Sequence, residues 1–330
     1  MKKIAVLGCG AWGTTVAKIL ADNLHEVRLW CHSEEVAQAI SRTHELSLLP
    51  GVRLPKTLKP TANLEEAMAD VDAVVLGVAS PYIDILERAK PFLKGQPVLS
   101  IGKGLLENRD QIFISDYCRS VLGSEYPFAI LSGPNLAIEI AQELPAASVV
   151  ASDMADVAQF FQTALSNHYF RIYTSTDVTG VEIGGVFKNA IAIAAGCVAG
   201  LGFGQNTLSL LLSRSLQEMS RFGRHFGAQS ITFTGLSGLG DMITTCTSDK
   251  SRNFRVGLAI AKHHDLALAI ESLGGVVAEG VKTTRVIYEM AKKKQLDLPI
   301  LFEIYAMLYQ NKSPKEAISS LMDRPLRAEF

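Results

Sequence analysis

The chain has 330 residues, 48% hydrophobic and 20% charged, with a formal net charge of −1; that length fits two domains, each burying its own core, in an ordinary soluble globular protein. The near-zero charge excludes a global field that would draw in nucleic acid or an anionic membrane. The five cysteines are odd in number, widely spaced and without a C-x-x-C pair, which excludes a disulfide scaffold or zinc site and points to a reducing compartment, the cytoplasm.

Met1-Lys2-Lys3 leads directly into a strand-like run that becomes a turn, too short for the apolar core of a signal peptide. That run, Ile4-Ala5-Val6-Leu7, is continuously apolar, as a central parallel strand covered on both faces requires. Gly8-Cys9-Gly10-Ala11-Trp12-Gly13 follows, then a helical pattern through Val16, Ile19 and Leu20 and a second strand at Glu26–Trp30. G-x-G-x-x-G at the turn of a strand–helix–strand unit is the dinucleotide fingerprint. Gly8 makes the tight turn, Gly10 lets backbone approach a pyrophosphate, and Gly13 lets helix and strand pack closely. The first helical residues, Ala11 and Trp12 among them, offer free N–H groups to the anion. At the tip of the second strand stands Trp30-Cys31-His32-Ser33, with Glu34 and Glu35 following. No carboxylate sits at the tip to repel a 2′-phosphate, and His32 and Ser33 could donate to one, although Glu34 could still swing toward a 2′-hydroxyl. NADP is slightly favoured, with NAD tolerated.

Residues 41–60 read as a polar, proline-containing loop with a short helix. Ala73–Val78 is another buried strand, after which Ser80 is expected to cap a helix beginning at Pro81. A strand at Pro97–Ile101 is followed by Gly102-Lys103-Gly104. Ligands bind beyond the carboxyl ends of such strands, so Lys103 is either a ligand contact or a solvated loop lysine. Phe128–Leu131 is a strand followed by the sharp turn Ser132-Gly133-Pro134-Asn135, and Ala147–Val150 and Phe170–Tyr173 are further strands. No strand follows Ser175. The fold class is therefore α/β: a doubly wound, Rossmann-type sheet over 1–178, followed by an all-α domain over 179–330.

The second half begins with T-G-V-E-I-G-G-V-F-K-N, after which a small, apolar stretch to Gly204 reads as a helix packed on most sides, too short and glycine-rich to span a bilayer comfortably. Lys188 and Asn189 are expected at its head. Partial burial would disfavour a lysine's charged form and make it a proton donor or acceptor near neutrality, unless it snorkels to water. Leu208–Phe222 reads as an amphipathic helix with Arg214, Glu218 and Arg221 toward solvent. Thr234–Asp241 reads as a glycine-dense loop ending in a carboxylate, able to approach a small ligand or merely to connect helices. Ser251-Arg252-Asn253 has the parts to hold a phosphate or carboxylate. Gly274–Gly280 is one more flexible loop with an acidic residue, and Lys292–Lys294 a solvated face. The seven histidines have no metal-binding spacing, so no metal is expected.

Seven segments in order, G-C-G-A-W-G, I-G-K-G-L, S-G-P-N-L-A, G-V-F-K-N, G-L-S-G-L-G-D, S-R-N and V-A-E-G-V, span nearly the whole chain. Together they resemble the NAD(P)-dependent glycerol-3-phosphate dehydrogenases of bacterial type. The resemblance implies reduction of dihydroxyacetone phosphate to sn-glycerol 3-phosphate, the starting unit of phospholipid synthesis, and suggests a homodimer. It implies that Lys188 is the general acid/base, with Asn189 beside it at the substrate and Asp241 orienting Lys188 and the substrate hydroxyls. It places Lys103 near both substrate and nicotinamide, Gly133 and Asn135 at the substrate, and Ala137 at the cofactor. Ser251, Arg252 and Asn253 match the phosphate-binding triplet, with Arg252 also reaching the cofactor. Val277 and Glu279 fall at the nicotinamide half, and Trp12 and His32 at cofactor positions. Bacterial members often carry arginine just after the second strand; Cys31-His32-Ser33 departs from that and weakens the NADP preference.

The chemistry is coherent: a carbonyl that accepts hydride develops negative charge on oxygen, and a positioned ammonium both stabilises it and donates the proton. A place at the head of a helix would favour neutral Lys188, and Asp241 would oppose that. Two other readings are a hydroxy-acid dehydrogenase whose substrate offers Arg252 a carboxylate, and a catalytically dead nicotinamide sensor. Small-molecule substrates are expected, without nucleic acid or stable membrane insertion.

Overall fold

A computed structural model of the chain describes all residues except 108–110, 276–277, 327 and 330. It divides into two compact units, Met1–Glu182 and Ile183–Phe330.

The first unit alternates strand and helix: β1 (Lys3–Leu7), α1 (Ala11–Asp22), β2 (Glu26–Trp30), α2 (Glu34–Thr43), β3 (Lys59–Thr61), α3 (Leu64–Met68), β4 (Ala73–Leu76), α4 (Ile85–Ala89), β5 (Val98–Ser100), α5 (Ile114–Leu122), β6 (Phe128–Ser132), α6 (Ala137–Ala141), β7 (Ala146–Ala151), α7 (Ala155–Leu165) and β8 (Phe170–Ser175). The sheet order is β3-β2-β1-β4-β5-β6-β7-β8, parallel except where β7 runs antiparallel to β6 with Leu131 opposite Val150. Strand order reverses between β1 and β4, whose ends are in register at Leu7 and Leu76. In open sheets of this kind the ligand crevice lies beyond the carboxyl ends at that reversal. One face of the sheet buries Ile4, Val6 and Leu29 with Val16 and Leu20 of α1, and the other buries Ala5, Leu7 and Val74 with Leu86 and Tyr117. Burial on both faces is why β1 and β4 are continuously apolar.

Two local expectations give way. The stretch 41–60 ends in an edge strand, β3, which pairs with β2 alone and contains Pro60; an edge position tolerates the missing N–H. No α-helix begins at Pro81: Ser80 opens a single 3₁₀ turn, Ser80–Tyr82, whose N-cap position is Ala79.

The second helical run begins with α8 (Val178–Gly200) and continues with α9 (Gln205–His225), α10 (Asp241–Cys246), α11 (Arg252–His263), α12 (Leu266–Ser272), α13 (Glu279–Lys293), α14 (Pro299–Tyr309) and α15 (Pro314–Met322). An α/β sheet followed by helices is the architecture expected. α8 is long and apolar enough to cross a membrane, but 89% of its most apolar window is buried within the fold. Its small residues let a neighbour approach: a Cβ on Gly257 of α11 would lie 1.9 Å from the Ile193 carbonyl oxygen.

Each unit contains a buried glutamate that caps another helix. Glu182 accepts from Ile114 N at 2.7 Å and from Ser115 Oγ at 2.5 Å at the start of α5. Glu218 accepts from Ile300 N at 2.7 Å and Leu301 N at 3.0 Å at the start of α14. Glu218 is 3% exposed, which corrects its placement on a solvent face: α9 packs on more than one side, and the first N–H groups of α14 need an acceptor.

Candidate active site

In the first unit, the expected ligand residues gather beyond the carboxyl ends of the parallel strands. Gly8 has φ +126°, and a Cβ on it would lie 2.8 Å from the Gly77 backbone at the end of β4. A Cβ on Gly13 would sit 2.1 Å from the Gly8 carbonyl oxygen, whereas one on Gly10 would meet nothing within 4 Å. Gly8 and Gly13 are thus required by packing, while Gly10 faces open space at the helix start. Gly10 is the N-cap of α1, which has no side-chain cap and no acidic residue in its first turn, so the N–H groups around Ala11 and Trp12 suit an anion. Trp12 packs edge-on against Phe170 at 6.4 Å, and its buried Nε1 has no partner among the described residues. A glycine cradle, an uncapped helix start and an orphaned donor fit a dinucleotide.

At the tip of β2, His32 is exposed. Ser33 is committed to capping α2, its Oγ accepting from Val36 N at 3.3 Å, and Glu34 accepts from Gln38 Nε2 at 3.0 Å. His32, Glu34 and Glu35 are all exposed there, and of these His32 is the one able to donate to a phosphate. Cys9 and Cys31 pack beside it: hydrogen bonding from Cys31 pulls the Cys9 thiol down to about 6, and the same bond raises Cys31.

Lys103, half-buried after β5, donates from Nζ to the Gly133 carbonyl oxygen at 2.6 Å. That brings it to the turn after β6 that carries Gly133 and Asn135. Asn135 Oδ1 accepts from Ser148 Oγ at 2.5 Å, while its buried Nδ2 has no partner among the described residues. Ala137 opens α6, where its carbonyl accepts from Thr15 Oγ1 of α1 at 3.2 Å, so it lies against the helix that follows the glycine turn.

In the second unit, Lys188 lies in the middle of α8. The residues from Val178 continue the helix across Gly184-Gly185, so the expected placement at a helix head is wrong and the macrodipole gives Lys188 nothing. Lys188 and Asp241 are buried, 7% and 1% exposed, and Lys188 Nζ donates to Asp241 Oδ1. Residues 234–241 are not an open loop: a 3₁₀ turn at Ser230–Thr234 and a π-helical turn at Leu236–Gly240 lead into α10, whose first residue is Asp241. Thr245, one turn along α10, donates to the Asp241 carbonyl oxygen at 2.7 Å and lies 3.5 Å from Asp241 Oδ1.

The S-R-N triplet divides its labour. Ser251 caps α11, accepting from Phe254 N at 3.3 Å. Arg252 is exposed. Asn253 turns inward, donating from Nδ2 to Asn189 Oδ1 at 3.0 Å and accepting from Gly280 N at 2.9 Å. Glu279 is half-buried at the start of α13, and Val277 lies outside the described residues. Among the described residues no group of three or more His, Cys, Asp or Glu side chains could hold a metal ion.

Two family models cover this arrangement. NAD-dependent glycerol-3-phosphate dehydrogenase N-terminus matches residues 3–158, and NAD-dependent glycerol-3-phosphate dehydrogenase C-terminus matches residues 177–319. The chain belongs to this family. It is 44% identical to a glycerol-3-phosphate dehydrogenase [NAD(P)+] of Citrifermentans bemidjiense over 99% of each chain, and 40% identical to one of Bacillus cytotoxicus over 100% of this chain and 97% of that one. The crystal structure of a glycerol-3-phosphate dehydrogenase from Coxiella burnetii superposes with a TM-score of 0.90 at 33% identity, covering 98% of this chain and 99% of that one.

Beside the residues expected of a glycerol-3-phosphate dehydrogenase, the structure brings in Ser148, Thr245 and Gly280. Thr245 has a sequence signal, its i+4 spacing from Asp241. Gly280 stands in the V-A-E-G-V segment without a stated role. Ser148 has no local signal, because its contact with Asn135 forms only when β7 folds back along β6.

Proposed function

We propose that Lys188 is the general acid of this enzyme and that Asp241 and Thr245 hold it in position. The chain is an NAD(P)-dependent glycerol-3-phosphate dehydrogenase, reducing dihydroxyacetone phosphate to sn-glycerol 3-phosphate. The observation that carries the lysine assignment is the buried Lys188–Asp241 pair. An ammonium taken out of water is retained where a carboxylate compensates it, and here the compensating oxygen also fixes where Nζ sits. A bound nicotinamide would supply hydride for the carbonyl carbon. As the C=O electron pair moves to oxygen, Lys188 Nζ transfers a proton there, the alkoxide becomes the hydroxyl, and neutral Lys188 beside Asp241 recovers a proton from water. In the oxidative direction the same nitrogen takes the proton back.

Lys103 and Asn135 offer donors suited to substrate oxygens, Arg252 suits the phosphate, and Asn189 a further oxygen. The glycine turn, Ala11, Trp12 and Ala137 line the cofactor side, with His32 as the donor that admits a 2′-phosphate and so tilts preference toward NADP. A cytoplasmic homodimer supplying glycerophospholipid synthesis, without nucleic-acid partners, completes the reading.

The test is oxidation of NADPH and, separately, NADH on adding dihydroxyacetone phosphate, for the unaltered chain and Lys188→Ala. Turnover lost by ~10²-fold or more with cofactor binding intact is expected. Equal turnover in the variant removes Lys188 from the chemistry, and none in either protein removes the substrate.

A further inference from the structure

We propose that Cys9 and Cys31 form a disulfide when a hydroperoxide oxidises them, and that this bond withdraws the glycine turn from the dinucleotide. The proposal rests on the reading above in one respect, that the cofactor crosses Gly8-Cys9-Gly10. The strand ends bring the two sulfurs together. β1 and β2 run in register to Leu7 opposite Trp30, and Gly8 N donates to the Trp30 carbonyl oxygen at 3.1 Å, so the chain leaves both strands side by side. Along β1 the side chains alternate, Ile4 and Val6 toward one face of the sheet and Ala5 and Leu7 toward the other. Continued alternation would send Cys9 to the second face. The φ of +126° at Gly8 reverses this, and Cys9 joins Cys31 in the core cluster of the first face. Neighbouring strands lie about 4.8 Å apart and a disulfide spans Cα atoms about 4.4–6.8 Å apart, so adjacent strand ends suit the bond.

The pair has the asymmetry of an attacking and a resolving thiol. Hydrogen bonding from Cys31, joined by the backbone and side-chain N–H groups of His32, holds Cys9 down at about 6 against its burial. Near neutrality Cys9 is therefore a thiolate, the nucleophilic form. It is also the most exposed of the five cysteines, at 6%, and burial pushes the thiols of Cys118, Cys197 and Cys246 up. The Cys9 sulfur attacks one oxygen of hydrogen peroxide and the O–O bond breaks. Cys9 becomes a sulfenic acid, and the leaving hydroxide takes the Cys31 proton to form water. The Cys9 thiolate is the main reason Cys31 holds that proton, so oxidation of Cys9 removes the restraint. The Cys31 thiolate then attacks the Cys9 sulfur, the S–O bond breaks, and the second hydroxide takes a proton from solvent. Both sulfurs are oxidised and the peroxide is reduced to two waters. The sulfurs must close from a hydrogen-bonded contact to about 2.05 Å. Gly8 is packed against the Gly77 backbone, whereas a Cβ on Gly10 would meet nothing within 4 Å. The movement therefore falls on Gly10 and on the uncapped start of α1, where the pyrophosphate has to approach.

The test treats the full chain, free of cofactor, with one equivalent of hydrogen peroxide and maps its disulfides by peptide mass. One link, Cys9 to Cys31, is expected, with the Kd for NADPH raised by ~10-fold or more and restored by dithiothreitol. In Cys31→Ala, Cys9 should stop at the sulfenic acid and take up dimedone. An oxidised chain without the link, or with Cys118, Cys197 or Cys246 modified first, overturns the proposal. Peptide mapping of the unaltered chain carries that arm should Cys31→Ala unfold. A collapse of the far-UV circular dichroism on oxidation would make the effect unfolding and overturn it too. So would a link that leaves NADPH affinity unchanged, and Gly10→Ala, titrated alongside, shows which part has failed. Weakened binding in Gly10→Ala keeps the cofactor on the turn and removes the proposal alone. Unweakened binding there removes the reading above as well.

Discussion

Ser148, fully buried on β7, donates its hydroxyl hydrogen to Asn135 Oδ1 at 2.5 Å. The bond leaves Asn135 Nδ2, buried and without a partner among the described residues, as a donor on the turn that Lys103 also reaches. Ser148→Ala removes the acceptor's anchor and lets the amide turn over. KM for dihydroxyacetone phosphate should rise by ~10-fold, while Tm falls by only about 2–4 °C, the cost of one hydrogen bond in a chain this size. An unchanged KM would detach Asn135 from substrate binding.

The Lys188–Asp241 pair predicts a stability pattern distinct from its catalytic one. Asp241→Ala strands a buried ammonium and should destabilise the chain by about 3–5 kcal/mol, whereas Lys188→Met combined with Asp241→Leu should recover much of that loss, because no unpaired charge remains. Urea unfolding of the two variants measures the difference, and both should lack turnover. If the double variant is as unstable as Asp241→Ala, then packing around α10, and not charge, dominates the site.

Much of this site is legible in the sequence because its parts are local. The glycine turn follows β1 directly, and the apolar runs Ile4–Leu7 and Ala73–Leu76 announce a sheet covered on both faces. What escaped reading depends on distant partners. Gly184-Gly185 puts the expected helix start near Lys188 and Asn189, because the Ser237 backbone that packs against Gly184 is a distant partner; without it, the start of α8 and the mid-helix place of Lys188 are hidden. Leu236–Gly240 carries loop-like glycines yet winds into a π-helical turn. Glu218 looks like one more polar residue on an amphipathic helix because its acceptor role is set by α14, about eighty residues onward.

The glycine turn separates a ligand role from a packing role within three positions. Gly10→Ala adds a methyl group into open space, so the fold and Tm should hold while NADPH affinity falls by ~10-fold or more, because that methyl occupies the approach of the pyrophosphate. Gly13→Ala drives a methyl group into the Gly8 carbonyl and should lower Tm as well as affinity. Fluorescence titration with NADPH alongside thermal unfolding distinguishes the two. Equal affinity in Gly10→Ala and the unaltered chain would mean that the cofactor does not cross this turn.

Glu218 makes stability depend on pH in a predictable direction. Burial pushes its carboxyl up to about 7, against the pull of the N–H groups of Ile300 and Leu301. In the unfolded chain it ionises near its ordinary value of 4.5. Between those two pH values the folded state holds the proton and the unfolded state has released it. Unfolding therefore becomes easier as pH rises through that window, and the dependence ends above about 7, where both states are ionised. Glu218→Gln, which cannot titrate, should lack this slope. The unaltered chain should therefore lose on the order of 3 kcal/mol relative to the variant between pH 4.5 and pH 7. Glu182, likewise pushed to about 7 by burial, adds a slope of the same sign, so Glu182→Gln combined with Glu218→Gln should flatten the profile further. Urea unfolding at several pH values across the window gives the slopes directly. Parallel profiles for Glu218→Gln and the unaltered chain would mean that Glu218 is already ionised in the folded protein at low pH, with the two N–H bonds at the start of α14 outweighing its burial.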